Sequence, residues 1–320
     1  MSIRQRYLVM TAFFGACALA LGLGMTFAQP TRSVGAATPP ATASTGDPAR
    51  GQYLVEAAAC ATCHSGAKGE YTGGVEFKLG PLGTFYSANL TVLQTWTTDD
   101  FLKVFHEGVD PKNGRVLAPV MPYMAFHGMS DDDVASVGAY LKTLKPIQND
   151  VPQAQPGAVA VFALKALPPV SVPPWKPDTT ATYGDYLVNH VSACGDCHTP
   201  RDAQTQQPIE GKDLAGGGIN LGTDQQPLYA TPILGSVLTA EGYTAESFEV
   251  ALRTGVRPWG ARIPVQMPWQ HYANLTHNDI LAIWNYLQTK KLDAPWPVGA
   301  VPTAASVLPP TSTPVSTQSR

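Results

Sequence analysis

Apolar residues fall at helical spacing in two well-separated stretches of the chain. Val134, Val137, Tyr140 and Leu141 form one set; Ile280, Ile283, Trp284 and Leu287 form the other. Each set follows a cap signal: Ser130 before three aspartates, and Thr276 before His277, Asn278 and Asp279. A hydroxyl at the N-cap accepts from a first-turn N–H, and carboxylates there oppose the positive end of the helix dipole. Helices are therefore predicted over 131–144 and 278–290, with shorter ones over 99–107 and 245–253. A further helix is predicted to start at each Gly-x-Tyr-Leu-Val stretch, Gly51 to Val55 and Gly184 to Val188. A short helix is also predicted within 158–167.

The two sets belong to two copies of one unit. Each copy opens with Gly-x-Tyr-Leu-Val and soon reaches Cys-x-x-Cys-His, at Cys60 to His64 and at Cys194 to His198. Gly114 precedes Met121 by seven residues, and Gly260 precedes Met267 by seven. Met121-Pro122-Tyr123 matches Met267-Pro268-Trp269, and an aromatic follows each methionine by five residues, Phe126 and Tyr272. A fixed spacing held through two copies is the signature of duplicated structure. Each unit reads as helix, Cys-x-x-Cys-His, long loop, helix, methionine loop, helix. The fold class predicted is all-α, with two tandem domains over 47–147 and 183–293.

The remaining segments read as connections. Residues 148–182 are Pro-rich and join the copies. Arg4 and Arg6 precede an uncharged apolar run from Tyr7 to Ala28, which reads as a Sec-type signal peptide. An uncleaved membrane anchor is the competing reading, since roughly 20 apolar residues span a bilayer. Either sends the chain across a membrane. Residues 29–46 read as a flexible tether, and 294–320 as a disordered tail. The formal net charge is -3 with no basic stripe, which argues against nucleic acid as a partner.

Cys-x-x-Cys-His is a c-type haem attachment sequence. Two thiols must reach two vinyl groups of one macrocycle while the next residue aims its imidazole at the iron, and one helical turn does both. Cys60, Cys63 and His64 are thus candidates to hold one haem, and Cys194, Cys197 and His198 a second. A thioredoxin-like redox pair would call for a βαβ context, and structural zinc for four clustered Cys and His ligands. The duplicated motif in an exported chain favours two covalent haem c groups.

Candidate sixth ligands follow from counting. Beyond the targeting segment the methionines are Met121, Met124, Met129 and Met267. The second copy contains Met267 alone, and the matched spacing maps it onto Met121. His127 is the rival ligand in copy one, and Met124 and Met129 read as packing residues. His/Met ligation raises the reduction potential and fills both axial positions, which points to electron transfer and away from catalysis at iron. Asn89, Thr91 and Arg201 are candidate propionate partners.

Both units resemble class I cytochrome c domains. The chain more closely resembles the cytochrome c subunits of membrane-bound alcohol and gluconate dehydrogenases. This rests on Cys194 to Asp202, Leu214 to Gly217, Gly83 to Thr91, Trp96 to Phe101, Met121 to Tyr123 and Ala139 to Leu141. The resemblance covers about residues 47–292. Those subunits usually carry three haem domains, and this chain has two. The resemblance implies a non-catalytic electron carrier on the periplasmic side of the bacterial inner membrane. Its expected partners are a membrane-bound or periplasmic dehydrogenase, a terminal oxidase, or both. A dihaem enzyme of peroxidase or thiosulfate-oxidising type, and a free membrane-tethered shuttle, are the competing functions.

Overall fold

The computed structural model describes residues 45–202, 207–222 and 225–291. The apolar N-terminal segment and most of the tether lie outside the described residues, as does the tail. Among the described residues no helix is long and apolar enough to cross a membrane.

Helix α1, Pro48–Ala57, starts where Asp47 accepts from the N–H of Ala49 at 2.9 Å and Pro48 takes the first helical position. Proline there sacrifices no hydrogen bond, because the first N–H groups of a helix have no partner within it. Helix α2, Cys60–His64, follows after Ala59. Helix α3, Thr98–Leu102, is opened by a reciprocal capping box between Thr97 and Asp100. It widens into a π-type turn over Lys103–Glu107 and stops at Gly108, whose φ of 67° suits glycine. Helices α4, Tyr123–Phe126, and α5, Asp131–Leu141, complete the first half.

The linker carries a short helix α6, Ala160–Ala163, inside the predicted span. Helix α7, Ala181–Tyr186, is capped by Thr180 and also widens into a π-type turn, Leu187–Val191. Helix α8, Cys194–His198, holds the second Cys-x-x-Cys-His. Helix α9, Gly235–Ala240, was not foreseen from sequence. Helices α10, Ala245–Thr254, α11, Trp269–Tyr272, and α12, His277–Thr289, follow. Helix α5 ends three residues short of the predicted boundary, and α12 lies within one residue of it at each end.

Within each half the first and last helices cross in close contact, α1 on α5 and α7 on α12. A Cβ on Gly51 would lie 1.8 Å from the carbonyl oxygen of Ser136, and one on Gly184 2.0 Å from that of Ala282. Only glycine lets the backbones approach so near. Leu54, Val55, Val134 and Met129 are buried beside one crossing, and Leu187, Val188, Ile280 and Leu287 beside the other. Both sets belong to one continuous apolar core.

The all-α expectation needs one correction. Strands β1, Glu76–Lys78, and β2, Gly83–Tyr86, form an antiparallel hairpin, and β3, Gln155–Pro156, from the linker pairs with β2. Phe77 stands opposite Phe85, and both line the cavity described below. Strands this short carry too little alternation to register as β in the sequence. The turn between β1 and β2 uses Gly80 and Gly83 at positive φ.

Candidate cofactor site

Each Cys-x-x-Cys-His turn is launched by an alanine in left-handed backbone, Ala59 at φ 50° and Ala193 at φ 49°. Non-glycine residues rarely adopt that conformation, and such strain concentrates where the surrounding structure fixes a functional geometry. It appears at the same place before both motifs.

The two histidines are held alike. His64 Nδ1 lies 2.8 Å from the carbonyl oxygen of Ala88, and His198 Nδ1 lies 2.6 Å from that of Thr231. A carbonyl only accepts, so each Nδ1 carries the proton and each Nε2 keeps its lone pair. That tautomer and anchoring are what a metal-ligating imidazole needs. Burial pushes both histidine pKa values down, which keeps the rings neutral and able to donate electrons.

The thiols are half-buried in the cavity wall. Burial, with a smaller push from Cys63, raises the Cys60 thiol to about 12. Cys194 is raised to about 12 by burial and then by Cys197, and burial raises Cys197 to about 11. Burial also raises Cys63. None of the four is joined in a disulfide. A redox-active Cys-x-x-Cys depends on a lowered thiol pKa, and all four of these thiols are shifted the other way.

Met121 and Met267 sit in superimposable turns. Met121 N–H donates to Ala118 and its carbonyl accepts from Tyr123 at 2.7 Å; Met267 N–H donates to Pro264 and its carbonyl accepts from Trp269 at 2.7 Å. The following prolines agree, at φ -78°, ψ 51° and φ -79°, ψ 49°.

One cavity of about 2410 Å³ is lined by Cys60, Cys63, His64 and Met121 from the first half and by Cys194, Cys197, His198 and Met267 from the second. Pockets for drug-sized ligands run to about 1,000 Å³. The excess suits more than one macrocycle, and the predominantly apolar wall suits a porphyrin. The donor set of two thiols, a neutral imidazole and a thioether on each side fits haem c. Among the described residues, no group of three or more His, Cys, Asp or Glu gathers around a point where it could hold a bare ion.

Of the other sequence-derived candidates, Asn89, Met124 and Arg201 line the same cavity, whereas Thr91, His127 and Met129 do not. His127 donates from Nδ1 to the carbonyl of His106 at 2.6 Å and is absent from the cavity wall. Met129 is fully buried in the core, whereas Met124 lines the cavity near its surface. Asn89 accepts from Thr91 and donates to the carbonyl of Ile147, so the pair pins a loop. Arg201 lines the cavity and donates to Asp196 at 3.1 Å.

Sequence reasoning missed the contact between the halves. Tyr53 donates to Asp279, and Tyr186 donates to Asp133 at 2.6 Å. The signals available were the tyrosine shared by both Gly-x-Tyr-Leu-Val stretches and the aspartate three residues after each cap.

With this geometry in hand, comparison with known proteins is specific. Residues 48–145 match the family model for cytochrome c. The chain contains a cytochrome c domain. Three relatives show where such domains are used. The chain is 34% identical over 188 residues to the cytochrome c subunit of a quinone alcohol dehydrogenase from Gluconobacter oxydans, covering 54% of this chain and 38% of the relative. It is 34% identical over 208 residues to the fructose dehydrogenase cytochrome subunit of Gluconobacter japonicus, covering 60% and 41%. It is 32% identical over 230 residues to the gluconate 2-dehydrogenase cytochrome c subunit of Pantoea cypripedii, covering 66% and 48%. The match therefore spans less than half of each relative. The cytochrome c domain brings haem and electron transport with it, and the relatives are named as cytochrome subunits of dehydrogenases.

Proposed function

We propose that the chain is a two-domain class I cytochrome c whose two covalent haems, each with His/Met ligation, pass electrons from a periplasmic dehydrogenase to the respiratory chain. The observation that supports it best is the agreement of both sites in every bond of the ligand frame: the left-handed alanine, the Nδ1–H to carbonyl bond and the methionine turn. A haem held there supplies a one-electron iron couple whose potential the methionine raises.

The chain's own residues do the rest. Cys60 and Cys63, and Cys194 and Cys197, tether the two groups. His64 and His198 present Nε2 from an orientation fixed by Ala88 and Thr231. Met121 and Met267 would each offer a thioether sulfur to the iron from the cavity wall. A haem iron held by both a histidine and a methionine would have no open position for peroxide or substrate, which favours a carrier over a dihaem enzyme. Phe77, Phe85 and Tyr272 give the wall an apolar surface for the macrocycle.

The donor is inferred from the relatives' names, which pair such subunits with oxidation of alcohols, fructose and gluconate. A terminal oxidase, directly or through a quinone, is the acceptor class. Export to the periplasmic face and attachment to the membrane belong to the same proposal. The test is exposure of the reduced native protein to carbon monoxide. No spectral change is expected at either site. Stoichiometric binding to one site would replace the carrier reading with a dihaem enzyme.

A further inference from the structure

The two halves meet through helix caps that neither half completes by itself. In α3 and α10 the box is closed locally. The N-cap N–H of Thr97 donates to Asp100 at 2.8 Å, and that of Thr244 donates to Ser247 at 2.8 Å. In α5 and α12 the equivalent local bond is replaced by a tyrosine hydroxyl from the other half. Ser130 N–H donates to Tyr186 Oη at 3.2 Å, and that hydroxyl donates to Asp133. Thr276 N–H donates to Tyr53 Oη at 3.1 Å, and that hydroxyl donates to Asp279. The hydroxyl suits the task because it accepts and donates at once.

The exchange is reciprocal. The first half's opening tyrosine enters the second half's last helix, and the second half's enters the first's. This is the logic of a twofold interface, built inside one chain. Flanking contacts follow the same rule. Helix α1 touches α11 through His271, which donates to Glu56 at 3.1 Å. The turn after α7 touches α4 through His190, which donates to the carbonyl of Ala125 at 2.9 Å. A Cβ on Gly128 would lie 2.4 Å from the His190 ring, so no slack remains there.

Each tyrosine lies on the helix that runs directly into a Cys-x-x-Cys-His turn. Both turns line the same cavity, together with the buried Tyr272. Resting on the two-haem reading above, we propose that Tyr53 and Tyr186 are positioning residues: the crossed caps hold the two attachment turns face to face and so set the rate of electron exchange between the sites.

The experiment is pulse radiolysis of the holoprotein, comparing wild type with Tyr53→Phe, Tyr186→Phe and the double variant. Phenylalanine keeps the ring and removes the hydroxyl. Wild type should show a first-order exchange phase independent of protein concentration. The double variant should slow that phase by more than either single variant does. Haem content and the methionine–iron absorption of both sites should not change. Asp279→Asn keeps an acceptor for Tyr53 and should exchange near the wild-type rate. Wild-type exchange in the double variant, or a loss in Asp279→Asn equal to that in Tyr53→Phe, would overturn the proposal. If the double variant does not load, the singles decide: each should slow exchange several-fold, and no slowing would overturn it. A wild-type protein with one haem would instead overturn the two-haem reading, which keeps the two failures distinct.

Discussion

Around the imidazoles and the methionine turns the two halves share the same bonds, while around the mouth of the cavity they diverge. In the first half the wall is a β-hairpin backed by a strand from the linker. In the second half the wall is loop, with Ile219, Leu228 and Tyr229 among its residues. The rims differ in charge and ring chemistry too. Lys112 lies over Trp96 at 5.8 Å in the first half, whereas Arg257 lies over Trp259 at 5.5 Å in the second, with Tyr243 edge-on to that tryptophan. Features shared by both halves are those that fix the two histidines and the two methionine turns. Features that differ set the water access and electrostatic field around them. On the proposed two-haem reading, one ligand set in two environments would give two sites of unequal potential.

The comparison is broken most severely by removing one tether. Replacing Cys60 and Cys63 with serine should halve the haem content, and so should replacing Cys194 and Cys197; haem absorbance per chain checks both. A loss of all haem from either variant would mean that the sites do not load independently. Next in size is ligand exchange. Met121→His and Met267→His should each lower the potential of one site and leave the other near its wild-type value, as read by a spectroelectrochemical titration.

The interface carries its own asymmetry. Asp133 receives Tyr186 and also two bonds from Arg50, at 2.9 and 3.0 Å. Asp279 receives Tyr53 and has no counterpart of Arg50, because Tyr183 occupies that position in the second copy. Removing one partner of a mostly buried ion pair leaves the other charge uncompensated. Asp133→Ala should therefore cost about 3 kcal/mol. Asp279→Ala loses one charge-assisted hydrogen bond, at about 1–2 kcal/mol. Thermal melts of the two variants measure the difference, and equal losses would deny Arg50 a role.

The smallest effect concerns the paired caps of α3 and α10. Hydrogen bonds from the Thr97 backbone and side chain hold the Asp100 carboxyl below its ordinary value, and Ser247 in the matching place does not titrate. A carboxyl lowered on folding contributes stability above its unfolded value, about 3.9, and that contribution fades as pH falls through its folded value. Amide exchange at the start of α3 should speed up below about pH 4 relative to the start of α10. Equal exchange at both caps would show that the aspartate adds nothing to its box.

Much of the site could be read from the chain because its determinants are local. The thiol spacing, the adjacent histidine and the Met-Pro turn each occupy a few consecutive residues. Helices α5 and α12 announce themselves through Ser130 and Thr276 and the apolar spacing behind them. The crossed caps could not be read in this way. Tyr53 and Asp279 are 226 residues apart, and neither residue type nor spacing names the partner. The sequence did mark Asp133 and Asp279 as acidic first-turn residues, which is half of their role. The β1–β2 hairpin stayed hidden because its strands are three and four residues long and its turn depends on two glycines. The acceptors for His64 and His198 were equally hidden, since Ala88 and Thr231 act through backbone carbonyls that any residue provides.

The most direct single measurement is peptide mass spectrometry of the protein purified from its native host. The peptides containing Cys60 to His64 and Cys194 to His198 should each carry one covalently bound haem through both cysteines. Free thiols in either peptide would contradict the two-haem carrier.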